Sequence, residues 1–329
     1  MELSGDISDT DNEFGSISRI QRIQLRRSQI QRDKIRRLLF DSSSEDESES
    51  ESPGGSTNPE PIVQFPNVTP SDEKSVLENS GSCNMVLISI DGLDGKDPFL
   101  ACNGLELPGP VRRFSFKPGR IVGADATDEG IRGVATELLE LGMESINIMH
   151  SQEPVDTALV FIASDLGGSV LKQALVEASQ NPKYSQVLQS TALLIFFGTP
   201  HRSHPSCQWN HMLLELLYKQ STSLLGSWIP AQIQRLSAFH EVLATNFSTF
   251  LRSNTLDILS FYQEELEPNI YDILIPKNAA ILDDPREIAI GLHRPHAHLG
   301  KFYTPEDQRF LISKLSDAKI STSPSILRV

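Results

Sequence analysis

From Met85 onward the chain alternates short apolar runs with stretches whose apolar residues recur every three or four positions. The runs are "MVLISI" (85–90), "VRRFSFK" (111–117), a run at 159–162, "TALLIFF" (191–197), "LDILSFY" (256–262) and "YDILIP" (271–276). Their lengths and their β-branched and aromatic content predict strands. Helical spacing marks "DEGIRGVATELLEL" (128–141), the segment carrying Val170, Leu171, Ala174 and Leu175, two longer patterns around 209–225 and 232–250, and "PEDQRFLISKL" (305–315). Strands separated by helices predict a mostly parallel sheet covered by helices on both faces, an α/β architecture. Sites in such sheets form beyond the carboxyl ends of strands. Asp91, Asp165, Gly198, Gln263 and Pro276 each follow a run and are expected along one rim.

The stretch "VFIASDLGGSVLKQAL" (160–175) reads as strand, sharp turn and helix. A G-x-S-x-G nucleophile elbow has that layout, with a serine hydroxyl at the tip. Here the five positions are Ala163, Ser164, Asp165, Leu166 and Gly167, so the tip is an aspartate and Ser164 stands one place too early.

Read together, "FIASDLGGSVLKQAL" and "STALLIFFGTPHRS" resemble the α/β-hydrolase superfamily. Within it they are similar to the serine-esterase and lipase-like proteins, including the hydrolase-like domain at the front of fungal NACHT-type signalling proteins. "SFYQE" (260–264) and "PHAHLGKF" (295–302) follow in the family's order, and "ISIDGLDGKDP" resembles its early glycine turn. The resemblance spans roughly 84–318 and implies an α/β-hydrolase fold with a helical insertion after "GTPHR". It puts Asp165 on the nucleophile, His296 on the catalytic histidine and Gln263 on the triad carboxylate, with Glu264 one residue further along. Leu166, Gly92, Leu93 and Asp91 fall in the region that would supply oxyanion donors.

A serine hydroxyl attacks an acyl carbon after histidine takes its proton, while backbone N–H groups hold the oxyanion. A carboxylate is a poor nucleophile for that reaction and would form a mixed anhydride with an ester. It suits an sp³ carbon bearing a halide or a strained epoxide oxygen, the resulting ester then being cleaved by water activated by histidine. Asp91 opposes both schemes, because a second carboxylate repels a developing oxyanion and tends to share a proton with Asp165. Two functions therefore stand side by side. One is a hydrolase-like protein with a degenerate catalytic site, acting as a binding or signalling module with little turnover. The other is an active hydrolase with Asp165 as nucleophile, His296 as base and Glu264 as orienting acid. The joint change at Asp91, Asp165 and Gln263 favours the first.

The chain has 329 residues and a formal net charge of −14, unevenly distributed. Residues 19–37 are densely basic, and 41–56 form an acidic serine run. Up to residue 82 the composition is too polar for burial to offset the entropy of ordering, so 1–82 are expected to be a disordered tail. The core domain is assigned to 84–318 and a C-terminal tail to 319–329. The basic segment interleaves arginines with Ile20, Ile23, Ile30 and Ile35, a pattern open to a protein partner, an anionic surface or nuclear import, although a solvated tail neutralised by the acidic run beside it is the favoured reading. The overall acidity disfavours nucleic acid. A small-molecule or lipid-like ligand suits the hydrolase-like domain.

The acidic opening lacks a signal-peptide core, and no apolar run approaches the roughly 20 residues of a membrane span. Cys83, Cys102 and Cys207 show no motif spacing and suggest reduced thiols, hence a cytoplasmic, or else nuclear, protein. No P-loop or internal repeat is present, and no cofactor is expected. His201, His204, Cys207 and His211 form one cluster of potential zinc ligands, and His293, His296 and His298 another. Both read better as structural or solvent-facing residues, so no metal is assigned. Trp209 and Trp228 read as core residues.

Overall fold

The computed structural model describes residues 85–92, 111–118, 127–151, 157–204, 208–220, 229–266 and 273–301, together with 309, 311 and 313. Both tails, the three cysteines, Leu93 and Trp228 lie outside the described residues. Apart from residues 229 and 230, the described residues fall in one compact unit formed by 56–224 and 231–329. The second unit, 1–55 with 225–230, lies otherwise outside them.

The strands are β1 (Met85–Ile90), β2 (Val111–Phe116), β3 (Ala158–Ser164), β4 (Thr191–Phe197), β5 (Asp257–Gln263) and β6 (Glu287–Leu292). The helices are α1 (Asp128–His150), α2 (Gly167–Gln180), α3 (Ser185–Ser190), α4 (Trp209–Gln220), α5 (Ile229–Ser253) and the short α6 (Lys277–Ala280). Single 3₁₀ turns occupy Pro182–Tyr184 and His296–His298. The sheet runs β2-β1-β3-β4-β5-β6 with every neighbouring pair parallel.

Parallel strands need crossover connections, and their helices cover both faces. The inner strands are accordingly mostly apolar and buried: all six residues of β1 and the first six of β3 are buried. The edge strands β2 and β6 carry mixed burial, because one side of each faces away from the sheet. On one face Met85, Leu87, Val160, Ile162, Leu193, Ile195, Phe197, Leu259 and Phe261 form a continuous core, closed by Leu292, Leu299 and Leu311. Within it the Phe197 and Phe261 rings stack 4.8 Å apart. Helix α2 is buried on nearly every residue from Gly167 to Leu175. Helix α1 starts at a side-chain cap, Thr127 Oγ1 accepting from the Gly130 N–H at 3.0 Å, with Asp128 and Glu129 in its first turn. Such a cap contributes about 1 kcal/mol.

The strand order decides where a site can form. From β1 the chain steps outward to β2, then crosses back to place β3 on the other side of β1. The connections leave in opposite directions between β1 and β3, the switch point beyond whose carboxyl ends sites form in such sheets. Asp91 and Gly92 follow one of those strands, and Asp165 follows the other.

Two expectations change. "YDILIP" is not a strand where it is described: residues 273–276 form a bend. The Leu274 N–H is engaged by the Gln263 side chain at 3.1 Å, and Pro276 opens α6. The sixth strand is instead "EIAIGL" (287–292), overlooked because two of its residues, Ala289 and Gly291, are weak strand formers. Its register against β5 runs from Ile258↔Glu287 to Gln263↔Leu292. Most of 305–315 lies outside the described residues, although Arg309, Leu311 and Ser313 are helical.

Candidate functional site

Strand β3 ends at Ser164, which pairs with Phe197, and the next residue turns sharply. Asp165 has φ 49°, a left-handed conformation that a non-glycine residue adopts at a cost of about 1–2 kcal/mol. The surrounding backbone holds it there. Its N–H donates to the Phe197 carbonyl at 3.1 Å, and its carbonyl accepts from Gly168 N at 3.2 Å. Helix α2 starts immediately, with the Ser169 N–H bonded to the Leu166 carbonyl at 2.9 Å. The register is therefore fixed: the apex residue is Asp165, and Ser164 belongs to the strand.

His296, 131 residues away, arrives from the loop after β6, and its Nε2 contacts Asp165 Oδ1 directly. The histidine side chain is 4% exposed and the aspartate 16%, so the pair sits just beneath the rim. Room for the imidazole comes from Gly198, whose φ is +54°. A Cβ on this residue would stand 2.3 Å from His296 Cε1 and 2.7 Å from its Nδ1. Asp165 Oδ2 points the other way, toward the loop after β1. A Cβ on Gly92 would come within 2.6 Å of it and 2.9 Å of Ser164 Oγ. Asp91 is 1% exposed at the same strand end, its N–H bonded to the Phe116 carbonyl at 3.0 Å. Leu166 follows the tip, also buried. Leu93 cannot be placed among the described residues.

At the end of β5, Gln263 is buried and fully employed in backbone support. Its Oε1 accepts from the Leu274 N–H and its Nε2 donates to the Glu265 carbonyl. Glu264, expected as orienting acid for His296, has its Oε2 3.3 Å from His293 Nε2 instead. A Cβ at Gly291 would lie 2.0 Å from Glu264 Oε1, so a side chain there would have to displace that carboxylate. His293 is 89% exposed. Among the described residues no three His, Cys, Asp or Glu side chains converge as a metal site.

Beneath the elbow lies a buried basic group that the sequence reading did not single out. Lys172 of α2 is 1% exposed and donates from Nζ to the Pro200 carbonyl at 2.7 Å. Burial pushes its pKa down to about 7. His201 is also buried, edge-on to Phe196 at 4.7 Å, with burial and then the Lys172 charge holding its pKa well below the usual range. His240 of α5 holds Leu236 O at Nδ1 (2.7 Å) and Ser169 Oγ at Nε2 (3.0 Å). The Nδ1 proton is thus committed to the carbonyl, and Nε2 accepts from the serine hydroxyl. Burial takes the His240 pKa down to about 3. Trp209 packs on that imidazole at 5.0 Å and is a core residue, as expected. One sequence signal could have exposed this group: Lys172 lies between Leu171 and Ala174, inside an otherwise apolar helical run.

A parallel sheet, a left-handed elbow between β3 and α2, and a histidine delivered after the last strand define an α/β-hydrolase fold. The chain has an α/β-hydrolase-like fold. No family model matches it. It is 30% identical over 152 residues to the ankyrin repeat domain-containing protein SAT10 of Stachybotrys chartarum, a match over 46% of this chain and 8% of that protein. It is 25% identical over 108 residues to human protein SERAC1, over 33% of this chain and 15% of that protein. The chain thus matches less than a fifth of the length of either relative. Among solved structures it is similar to a Rhizomucor miehei esterase, at 13% identity and TM-score 0.45, covering 73% of this chain and 76% of that one. It is also similar to the RedJ thioesterase of Streptomyces coelicolor, at 13% identity and TM-score 0.37, covering 72% and 86%. At these scores the likenesses carry nothing about activity.

Proposed function

We propose that this protein is a hydrolase-like binding or signalling module whose catalytic site is closed and turns over little or nothing. The observation that carries this reading is the direct contact between Asp165 Oδ1 and His296 Nε2. A carboxylate nucleophile needs an unengaged oxygen facing the substrate, and its ester intermediate needs an imidazole able to activate water. Here Asp165 Oδ1 and His296 Nε2 engage each other, so the imidazole cannot serve a water until that contact opens, and only Oδ2, wedged against Gly92, is left to face a substrate. The buried carboxylate of Asp91, at the end of the neighbouring strand, further disfavours an oxyanion. The switch point between β1 and β3 then serves to hold a small or lipid-like ligand. The basic segment 19–37 offers a protein partner its charge. Among the described residues no helix is long and apolar enough to cross a membrane, and we place the protein in the cytoplasm or nucleus.

The competing reading, an active hydrolase with Asp165 as nucleophile, draws on the strained elbow, which is the conformation that presents an attacking side chain. Single-turnover reactions over esters, epoxides and haloalkanes in ¹⁸O-water separate the two. The expected result is no product and no label in the peptide containing Asp165. Label at Asp165 that disappears in His296→Ala would establish the enzyme and remove the closed-site reading.

A further inference from the structure

The turn 198–202, "GTPHR", touches every part of the site although none of its own side chains reaches the elbow carboxylate by any contact described above. Gly198 receives the His296 ring, and its N–H donates to the Phe261 carbonyl of β5 at 2.8 Å. Thr199, 1% exposed, fills the hollow over Gly168 of α2, where a Cβ would come within 2.3 Å of both its Cγ2 and its Oγ1. The Pro200 carbonyl takes the Lys172 ammonium. The His201 N–H bonds to Ala279 O at 2.7 Å, and Arg202 Nε bonds to Asn278 O at 2.8 Å, which anchors the far end on α6. One side of the turn is therefore tied to the elbow helix and the other bears on the histidine.

We propose that Lys172 is a positioning residue for the Asp165–His296 pair, acting through the Pro200 carbonyl and the 198–201 turn. Lys172 is the sixth residue of the helix that begins at the elbow, about one and a half turns in, so its tether bears on the distance between the apex and the surface on which His296 rests. An ammonium bonded to a carbonyl in the interior makes a stronger hydrogen bond than a neutral donor does. Lys172 Nζ has Pro200 O as its one hydrogen-bond partner among the described residues, so its tether adds a charged hydrogen bond to the packing of Thr199 on Gly168. Burial alone shifts Lys172, and the titratable groups its charge acts on are His201 and His240, both pushed below their usual range chiefly by burial. When Lys172 loses its proton, near pH 7, the tether weakens and the imidazole gains freedom against Asp165. The inference rests on the Asp165–His296 pair but not on whether that pair turns over.

The test reads the pair by NMR on the full chain. In the wild type, the Lys172 Nζ and His296 ring ¹⁵N signals and the His296 Nε2–H proton are followed from below to above the Lys172 transition. The His296 signals are expected to show a step at the lysine midpoint in addition to any step of their own, with the Nε2–H proton moving upfield as the tether weakens. In Lys172→Met that added step is lost and the Nε2–H signal stays upfield throughout. Thr199→Ala loosens the same turn without touching the charge, and it is expected to move the Nε2–H signal upfield while the lysine still titrates. A wild-type His296 signal without a step at the lysine midpoint would overturn the proposal, even where Lys172→Met does not fold. A folded Thr199→Ala protein with an unmoved Nε2–H proton would reduce the coupling to through-space charge and overturn it equally. Turnover by the wild type would sink the closed-site reading without affecting either outcome.

Discussion

Two buried histidines in this protein each face an oxygen, and they behave as opposites. His240 holds the hydroxyl of Ser169 and the carbonyl of Leu236, deep between α2 and α5. His296 holds the carboxylate of Asp165 at the mouth of the sheet. The serine–histidine pair that would be chemistry at a rim is thus found where no substrate reaches, with Ser169 fully buried and His240 1% exposed. At the rim, where chemistry could occur, the partner is an anion. The lesson is that residue types do not make a site; access and the charge state of the partner do. His240 remains neutral because burial dominates and only neutral groups bond to it, so it serves as a cross-link between helices.

The comparison is broken most forcefully by removing the core imidazole. His240→Ala is expected to cost about 3–4 kcal/mol, the range for deleting a large buried side chain, with Ser169 left unpaired as well. His296→Gln should cost about 1 kcal/mol, since Asp165 at the rim can hydrate when its partner is gone. Urea unfolding of both variants checks this, and equal losses would mean that the rim pair is structural after all.

Acid sharpens the contrast. The folded-state pKa of His240, about 3, lies below the ordinary value of 6.5, so between those limits the unfolded chain binds a proton that the native state refuses. The stability present above pH 6.5 is therefore lost as pH falls toward 3, with a slope of about 1.4 kcal/mol per pH unit from this group alone. His201, held low by the same burial, adds to the slope. A pH series of unfolding midpoints for His240→Gln should be shallower than wild type by about one proton. An unchanged slope would show that the imidazole is charged in the native state.

On the alkaline side Lys172 repeats the argument. Its pKa drops from 10.5 to about 7 on folding, so stability rises with pH between those values as the unfolded chain keeps a proton that the native lysine has shed. Below about pH 7 the burial penalty on the ammonium is complete. Lys172→Met should remove this rise, which the same midpoint series would detect.

The smallest effect is expected at the elbow itself. Asp165→Gly gives up the pair with His296 but relieves a left-handed backbone, and the two offset to within about 1 kcal/mol. Calorimetry that found a loss of several kcal/mol would mean that the ion pair outweighs the strain.

Much of the framework is legible in the residues alone. The apolar runs at 85–90, 159–162 and 191–197 read as strands covered on both faces, and the small residues around Asp165 as a tight turn into a helix, and all are so in the structure. The period of the side chains carries that information locally. Strand β6 escaped because Ala289 and Gly291 carry little strand preference, its pairing being decided by β5 beside it. Whether Glu264 would meet His296 or His293 was equally hidden, since one bend of backbone redirects a carboxylate without changing its place in the chain.

The chain order of residues determined that an aspartate would stand at the apex of a strand–helix turn in a parallel sheet. The resemblance paired His296 with Asp165, but only the tertiary structure decided that the two side chains would close directly on each other and that Lys172 would be tied to the Pro200 carbonyl. Local sequence sets backbone conformation through sterics and periodicity. Long-range charge pairing depends on which loops the finished sheet brings to its rim, and no short stretch of chain contains that.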